Sequence, residues 1–545
     1  MRIRVPPRFG KQLAASGADP RRRESGHVAE TQRTRRLALL PLVEPRVVLV
    51  LLFVLAFGVR LVHIDQAPLD FHAVRQYHTL VVARDFYYKL GGSAPKSQRE
   101  LASLNRERQG KWEPEILPAL AAVGYLALGG EHLWVPRTLS ALFWLIGGVF
   151  LYLVARRLAP RPAEAAVAST AIFLFLPFAV TASRSMQPDP MMIAAVLASI
   201  YMMLRYHDRA TTSNLIAGAS VTAFAILTKG VSVFLIAPVF LVTALATAGG
   251  RKVLARRYGI FLGLALLPPV AFYGYRIFGS GSLAGVAQGD ILPQLWTHAS
   301  FWRGWTQEVD SVVGYPLAAL ALVGTLLFRA GLPRRVLFGL WAGYLAFGLV
   351  FTFTISTHDY WNLPLVPIVA LAAGPPLALV FEAVRRTNPQ RLGQAALSLI
   401  LLASIALAMD IARPRPLDTS LSRKIKVEEE VGRLVRHTPR AVFLDGDYGV
   451  SLEYHGQVSG EPWPLTSDFA WEKLAGVRPE TVEQRFADLP GEGPLDYFIV
   501  LDRDEYQQQP ALRRFLARFP LRAKSDDYLI FKLGGWRIRQ GAAKR

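Results

Sequence analysis

Between Leu69 and Leu80 the chain reads Asp70-Phe71-His72-Ala73-Val74-Arg75-Gln76-Tyr77-His78-Thr79, which sets a carboxylate, two imidazoles and a guanidinium directly after an apolar run of membrane length. Ionisable groups beside hydrocarbon are costly and usually mark a ligand or a transfer pathway. A carboxylate in such a place can take a proton from an attacking hydroxyl or amine, or ligate a divalent cation beside a phosphate. Asp189 has the same kind of setting, and Glu113 and Glu115 close the segment that the cluster opens. Arg137, Arg184, Lys229 and Arg276 supply positive charge next to other apolar runs, as an anionic ligand such as a phosphate would require. Gln187, His358, Asp359 and Tyr360 complete the polar set. Each residue also has a plainer use. Asp70 and Asp189 can form salt bridges with Arg75 and Arg184, the cations can snorkel to lipid headgroups, and a lone interfacial histidine is more often a satisfied hydrogen-bonding group than a catalyst.

The elements that must position these residues follow from composition. A chain of 545 residues that is 52% hydrophobic and 19% charged, with mean hydropathy +0.27, is read as a multi-spanning membrane protein. Its net charge of +21 and pI near 10.2 do not point to nucleic acid, because no such binding motif is present and the basic residues flank apolar runs. They read as topology signals. The absence of cysteine excludes disulfides, thiolate metal sites and cysteine nucleophiles.

Residues 1–45, with Arg21-Arg22-Arg23 and Arg33-Thr34-Arg35-Arg36, are expected to form a disordered basic cytoplasmic tail. The run Arg46 to Ile64 is expected to be a signal anchor with its N-terminal side inside. The apolar segment Ile116 to Leu128 is too short to cross and is read as an interfacial or re-entrant helix. With that choice Arg156-Arg157-Arg161, Arg205-His207-Arg209, Arg251-Lys252-Arg256-Arg257, Arg329-Arg334-Arg335 and Arg385-Arg386-Arg391 all fall inside. The spans then begin near residues 46, 135, 164, 190, 214, 231, 258, 311, 336, 362 and 394, about eleven in all. Residues 46–410 form the membrane domain, with a long first outer loop over 65–134, and every candidate site residue lies at an outer end. Residues 411–545 are nearly charge-balanced. Short runs such as Ala441-Val442-Phe443-Leu444, Phe498-Ile499-Val500-Leu501 and Tyr528-Leu529-Ile530-Phe531 alternate there with helical stretches such as Pro510 to Phe519, so a small extracytoplasmic α/β domain is predicted, acting as a cap or acceptor-docking module.

The order of motifs resembles a known family. The Asp-bearing first loop, Arg75-Gln76 leading to Ala83-Arg84-Asp85-Phe86-Tyr87, Glu113-Pro114 before a short apolar helix, and Trp134-Val135-Pro136-Arg137 are similar to the GT-C glycosyltransferases. The nearer likeness is to bacterial members related to protein O-mannosyltransferases, the lipid A aminoarabinose transferase and the rhizobial lipid A galacturonosyltransferases. Arg184-Ser185-Met186-Gln187-Pro188-Asp189-Pro190, Leu227-Thr228-Lys229-Gly230 and His358-Asp359-Tyr360-Trp361-Asn362-Leu363-Pro364 extend it, over about residues 46 to 380.

The resemblance implies a GT-C fold and an inverting transfer of a hexose, pentose or related sugar from a polyprenyl phosphate to a lipid, glycan or protein acceptor, on the outer side of the cytoplasmic membrane. It implies Asp70 as the general base and Asp189 as its acidic partner. His72, Arg75, Gln76, Glu113, Arg137, Arg184, Lys229, Arg276, His358 and Tyr360 become ligands or supports of sugar and phosphate. Many relatives carry a second acidic residue where this chain has Phe71, so no cofactor is assigned and a divalent metal stays open. Relatives with the closest Arg-Gln pattern do not all keep an Asp at the place of Asp70, so Glu113 and Asp189 stay alternatives for the base. A lipid or sugar transporter, or an envelope assembly protein, are the rival classes. Against the first, no repeated half is visible and the ionisable residues avoid the midplane.

Overall fold

The computed structural model describes residues 45–69, 71–160, 162–248, 252–280, 290–387, 416–489 and 494–537, with scattered helical residues between 395 and 410. The N-terminal tail, Asp70 and most of the span expected near 394 lie outside these. Runs rich in Leu, Val, Ala and Phe, long enough to satisfy their own backbone, become helices, as a spanning segment must in a medium without water.

Helices begin close to the expected positions: Pro45–Leu61, Trp134–Leu158, Pro162–Phe175, Asp189–Asp208, Thr212–Thr228, Val233–Ala248, Lys252–Gly274, Tyr315–Leu327, Leu332–Val350 and Leu365–Thr387. By length and apolarity, four described helical segments suffice to cross a membrane: Trp134–Leu158, Gly230–Thr247, Arg256–Gly279 and Leu365–Ala383. Two bent pairs raise this to six. Ala163–Phe175 turns by 62° into Pro177–Ser183, where Pro177 opens a new first turn and cannot supply the backbone N–H that a continuous helix needs. The short Ile116–Leu128 segment is a 13-residue helix, as its composition suggests.

One boundary differs from the sequence reading. The span expected from about 311 starts instead at Tyr315, because Gly314, at φ 76°, turns the chain by 87° out of the Ala299–Val313 helix. That preceding helix is amphipathic: Phe301, Trp305, Val312 and Val313 are buried while Trp302, Arg303 and Asp310 are exposed.

Small residues let the helices approach. A Cβ on Gly324 would strike the Ala372 carbonyl, one on Gly343 the Phe234 carbonyl, and one on Gly374 the Ser169 hydroxyl. Leu365–Ala383 is consequently central, with 67% of its apolar window buried, against 17% for Arg256–Gly279 at the periphery. Trp144 is fully buried, stacks on Phe173 at 4.2 Å and donates to its carbonyl at 3.1 Å.

After the bundle comes a five-stranded sheet in the order β2-β1-β3-β5-β4, with β1 Ala441–Leu444, β2 Gly460–Pro462, β3 Pro494–Val500, β4 Leu521–Lys524 and β5 Leu529–Arg537. β2, β1 and β3 run parallel, and β5 is antiparallel to both β3 and β4. All four residues of β1 are buried because both faces are covered: Val442 and Leu444 pack with Trp463, Phe486 and Phe515, while Ala441 and Phe443 pack with Val431, Leu452 and Ile530. The helix Val450–His455, following β1, lies against the Ala73–Lys89 helix, and Tyr77, Leu80, Val81, Met186, Val450 and Tyr454 form a shared apolar cluster. Through this contact the sheet layer meets the chemistry-bearing loop.

Candidate functional site

His72 starts the Ala73–Lys89 helix from a left-handed backbone, φ 46° and ψ 61°, an uncommon conformation for a residue with a Cβ. That turn aims its ring at the segment after the Thr352–Thr357 helix, where Nε2 lies 2.5 Å from Asp359 Oδ1 and the ring meets Tyr360 edge-on at 4.5 Å. His358 stacks on His72 at 6.4 Å and shares a hydrogen bond with the Thr357 hydroxyl at 2.8 Å. Burial, and then the charge of His72, lower the pKa of His358 and favour its neutral form.

One helical turn on, Arg75 donates to Glu113 Oε1 at 2.9 Å while its guanidinium covers Trp112 at 4.7 Å. Burial opposes the charge of each partner, but the pair outweighs it: Arg75 is raised by Glu113, Tyr360 and Asp189, and Glu113 is lowered by Arg75, Lys229 and His78. These mutual effects bring the first loop to within electrostatic reach of Asp189, Lys229 and Tyr360. His78 stacks on Trp112 at 5.0 Å and pairs with the Gly110 carbonyl at 2.7 Å; burial and Arg75 lower its pKa.

Gln76 is the splint of this loop. Its amide nitrogen donates to the Phe71 carbonyl at 2.5 Å, and its oxygen accepts from the Met186 N–H at 3.1 Å. Thr79 donates to the Met186 carbonyl at 2.7 Å, so both backbone groups of Met186 are held by one helix face. The segment that leads to Asp189 is thereby registered against the first loop.

Asp189 begins its helix and pairs with Lys229 Nζ at 2.9 Å; both are buried, 3% and 6% exposed. Lys229 also lies 5.4 Å from the Tyr360 ring and 5.2 Å from the Trp361 ring, two aromatic neighbours that suit a desolvated ammonium. Asp189 Oδ2 and Trp361 Nε1 are buried polar atoms with no hydrogen-bond partner among the described residues. Such atoms are expensive unless a ligand meets them.

Arg137 and Arg184 are buried, and both donate to the His63 carbonyl, at 3.4 and 2.9 Å, so they hold the end of the first helix. Arg276 lies over Phe272 of its own helical segment at 5.7 Å. Among the described site residues the structure therefore brings together His72, Arg75, Gln76, Glu113, Asp189, Lys229, His358 and Tyr360. Asp70 lies outside the described residues, immediately before Phe71, whose ring packs edge-on against Phe178 at 5.9 Å.

The structure adds residues that the sequence reading passed over. Trp112 is the platform for Arg75 and His78, and its only signal was adjacency to Glu113. Asp290 is within electrostatic reach of Lys229, and burial raises it to about 6 although Lys229 opposes the shift. Glu308 approaches Asp359 and His72 from the amphipathic helix. Glu113, Asp189 and Asp359 each already face a cation or imidazole, so a divalent ion on any of them would compete with Arg75, Lys229 or His72. Elsewhere Glu428, Asp445 and Asp447 have metal-ligand spacing, but Lys424 Nζ already sits 2.9 Å from Asp447 and 3.3 Å from Asp445.

Residues 113–275 match the family model described as dolichyl-phosphate-mannose-protein mannosyltransferase. Two solved structures share the fold: ArnT from Cupriavidus metallidurans bound to undecaprenyl phosphate, at TM-score 0.54 and 16% identity over 89% of this chain and 97% of that one, and the same protein in the apo state, at TM-score 0.53 and 15% identity over 89% and 96%. No curated protein sequence matches. The resemblance carried by motif order thus meets a family match over residues 113–275, and the fold is shared with ArnT over most of the chain.

Proposed function

We propose that the chain is a multi-pass membrane glycosyltransferase that takes a sugar from a polyprenyl phosphate and transfers it, with inversion, to an envelope lipid, glycan or protein on the outer side of the cytoplasmic membrane. The observation that carries this reading is the convergence of Arg75–Glu113 and Lys229–Asp189 beside Tyr360 and Trp361, with Asp189 Oδ2 and Trp361 Nε1 left for a ligand. A phosphate that leaves as an anion needs preorganised positive charge, and Arg75 and Lys229 provide it where water is largely excluded. In the transfer the acceptor oxygen or nitrogen forms its bond to the anomeric carbon as the bond to the lipid phosphate breaks on the opposite face. The acceptor proton passes to a carboxylate, for which Asp70 is our assignment, and the electron pair leaves on the phosphate.

Asp189, His72 and Tyr360 then orient sugar or acceptor, and the fold shared with a protein crystallised with undecaprenyl phosphate supports a lipid-linked donor. The test uses native membranes supplied with labelled polyprenyl-phosphate hexoses and pentoses. Asp70→Asn and Lys229→Ala should each lower transfer at least about a hundredfold at equal protein level. Wild-type transfer by both variants would remove the assignment. Mass spectrometry of envelope glycans after gene deletion identifies sugar and acceptor.

A further inference from the structure

The Ala73–Lys89 helix carries site residues on one side and an unexplained set of polar anchors on the other. At about 100° per residue, Tyr77 points roughly 200° away from Arg75, and Val81, Arg84 and Tyr88 continue the Tyr77 stripe at helical spacing. That stripe meets two consecutive residues of the sheet layer. The Tyr77 hydroxyl pairs with His455 Nε2 at 2.8 Å, and their rings meet edge-on at 5.3 Å. Arg84 donates to the Tyr454 carbonyl at 2.6 Å, and its guanidinium lies 3.7 Å over the Tyr454 ring.

Glu131 closes the arrangement from the loop that enters the Trp134–Leu158 helix. It accepts from Arg84 Nε at 2.9 and 3.0 Å, from the Tyr88 hydroxyl at 3.1 Å and from the Tyr454 hydroxyl at 2.9 Å. Three residues from two parts of the chain, Glu131 and the consecutive Tyr454 and His455, therefore fix one face of the helix. Burial, and then Arg84, push His455 down to about 4, so near neutrality its imidazole is uncharged and shares a neutral hydrogen bond with Tyr77.

We propose that Tyr454 and His455 are positioning residues of the glycosyl-transfer site, setting the rotation of the Ala73–Lys89 helix, and hence the direction of Arg75, from the face opposite to the donor phosphate. The inference rests on the glycosyltransferase reading. A twist of about 10° displaces a group carried roughly 8 Å from the helix axis by about 1.4 Å, and misplacements near 1 Å cost up to about a hundredfold in rate. The neighbouring contacts of the sheet layer, Asn105 to the Val458 carbonyl at 3.1 Å and Gln109 to Glu453 at 2.7 Å, lie on the Lys96–Arg108 helix and just past its end, and they involve neither Tyr77 nor His455. The layer should stay docked while the rotation loosens.

The experiment compares the full-length wild type, Tyr77→Phe, His455→Leu, His455→Gln and the Tyr77→Phe/His455→Leu pair in native membranes. It follows release of polyprenyl phosphate from labelled polyprenyl-phosphate hexose and pentose donors. Tyr77→Phe and His455→Leu should each lower kcat about tenfold, with donor KM changed less than about twofold. The double variant should fall no further, and His455→Gln, whose amide oxygen accepts from Tyr77, should recover to within about threefold of wild type. An active wild type with unaffected single variants, additive losses, or a rise in KM at constant kcat would overturn the positioning role. No release by the wild type would instead remove the transferase reading, and this inference with it.

Discussion

Replacing Lys229 separates electrostatic support of the fold from support of the reaction. The Lys229–Asp189 contact is 2.9 Å between groups 6% and 3% exposed, and Asp189 Oδ2 already lacks a hydrogen-bond partner among the described residues. Lys229→Met therefore strands a buried carboxylate, at a cost of about 3–5 kcal/mol in folding stability. Removing the carboxylate charge as well, in Lys229→Met/Asp189→Asn, leaves two neutral groups of similar volume and should recover most of that loss. If Lys229 also stabilises a departing phosphate, its removal costs about 10²–10³ in rate, or about 2.7–4 kcal/mol, and the second substitution cannot restore it. Asp189→Asn alone leaves the ammonium beside the Tyr360 and Trp361 rings, worth about 0.5–2 kcal/mol each, so its stability loss should be the smaller of the two single changes. Denaturation midpoints of the detergent-solubilised protein and polyprenyl phosphate release from membranes read the two effects apart. Recovery of release in the double variant would reduce Lys229 to a counter-ion for Asp189. A wild-type midpoint in Lys229→Met would refute the buried-pair argument itself.

Asp290 gives a pH signature. Its folded pKa of about 6 lies above the ordinary 3.8, so the stability it contributes is present below about pH 4 and lost as pH rises through 6. Asp290→Asn should gain on wild type by about 2 kcal/mol between pH 4.5 and 7, and an equal difference at both pH values would contradict this. Gln76→Leu keeps the volume but strands the Met186 N–H and the Phe71 carbonyl, so the denaturation midpoint should fall by the equivalent of about 1–3 kcal/mol per group; an unchanged midpoint would mean that the splint is idle. Gly343→Ala drives a methyl into the Phe234 carbonyl and should sharply reduce folded yield, whereas Gly263→Ala, with nothing near its Cβ, should not. A reporter fused after Arg545 should be accessible only from outside intact cells, and cytoplasmic labelling would reverse the proposed orientation.

The parts of this molecule visible in its sequence are those governed by a period. Ala441–Leu444 and Pro494–Val500 are strands where short β-branched and aromatic runs stand between polar stretches, and Ile116–Leu128 is a helix bounded by Glu115 and Gly129. Azimuth and tertiary pairing have no such period. Nothing in the spacing shows that Arg75 reaches Glu113 over 38 residues, or that Arg137 and Arg184 share the His63 carbonyl. A positive side chain at a span end reads the same whether it meets a phosphate or a backbone oxygen. The turn at Gly314 was missed for a related reason, since hydropathy runs on across it while its backbone, at φ 76°, does not continue the helix. Arg60, fully buried and bonded to the Ser183 hydroxyl at 2.7 Å and the Leu174 carbonyl at 3.0 Å, was read as part of an apolar run although it ties the first helix to the broken one.

The electrostatics also bear on which carboxylate accepts the proton. Glu113 is held below the ordinary carboxylate range by Arg75, Lys229 and His78, and a general base loses proton-accepting power as its pKa falls away from the working pH. Asp189 has one oxygen committed to Lys229 at 2.9 Å, leaving a single acceptor suited to holding a hydroxyl rather than to taking its proton against a neighbouring ammonium. Asp359 faces His72 in the same way. These three carboxylates are thus spoken for by charge partners, which suits them to fixing cations around a phosphate, whereas Asp290, within reach of Lys229, is raised to about 6 by burial. We keep Asp70, two residues before His72 in the sequence, as the proposed base: the cationic side chains need permanent counter-ions to stay folded when no donor is bound, and the group that takes the proton must not be one of them.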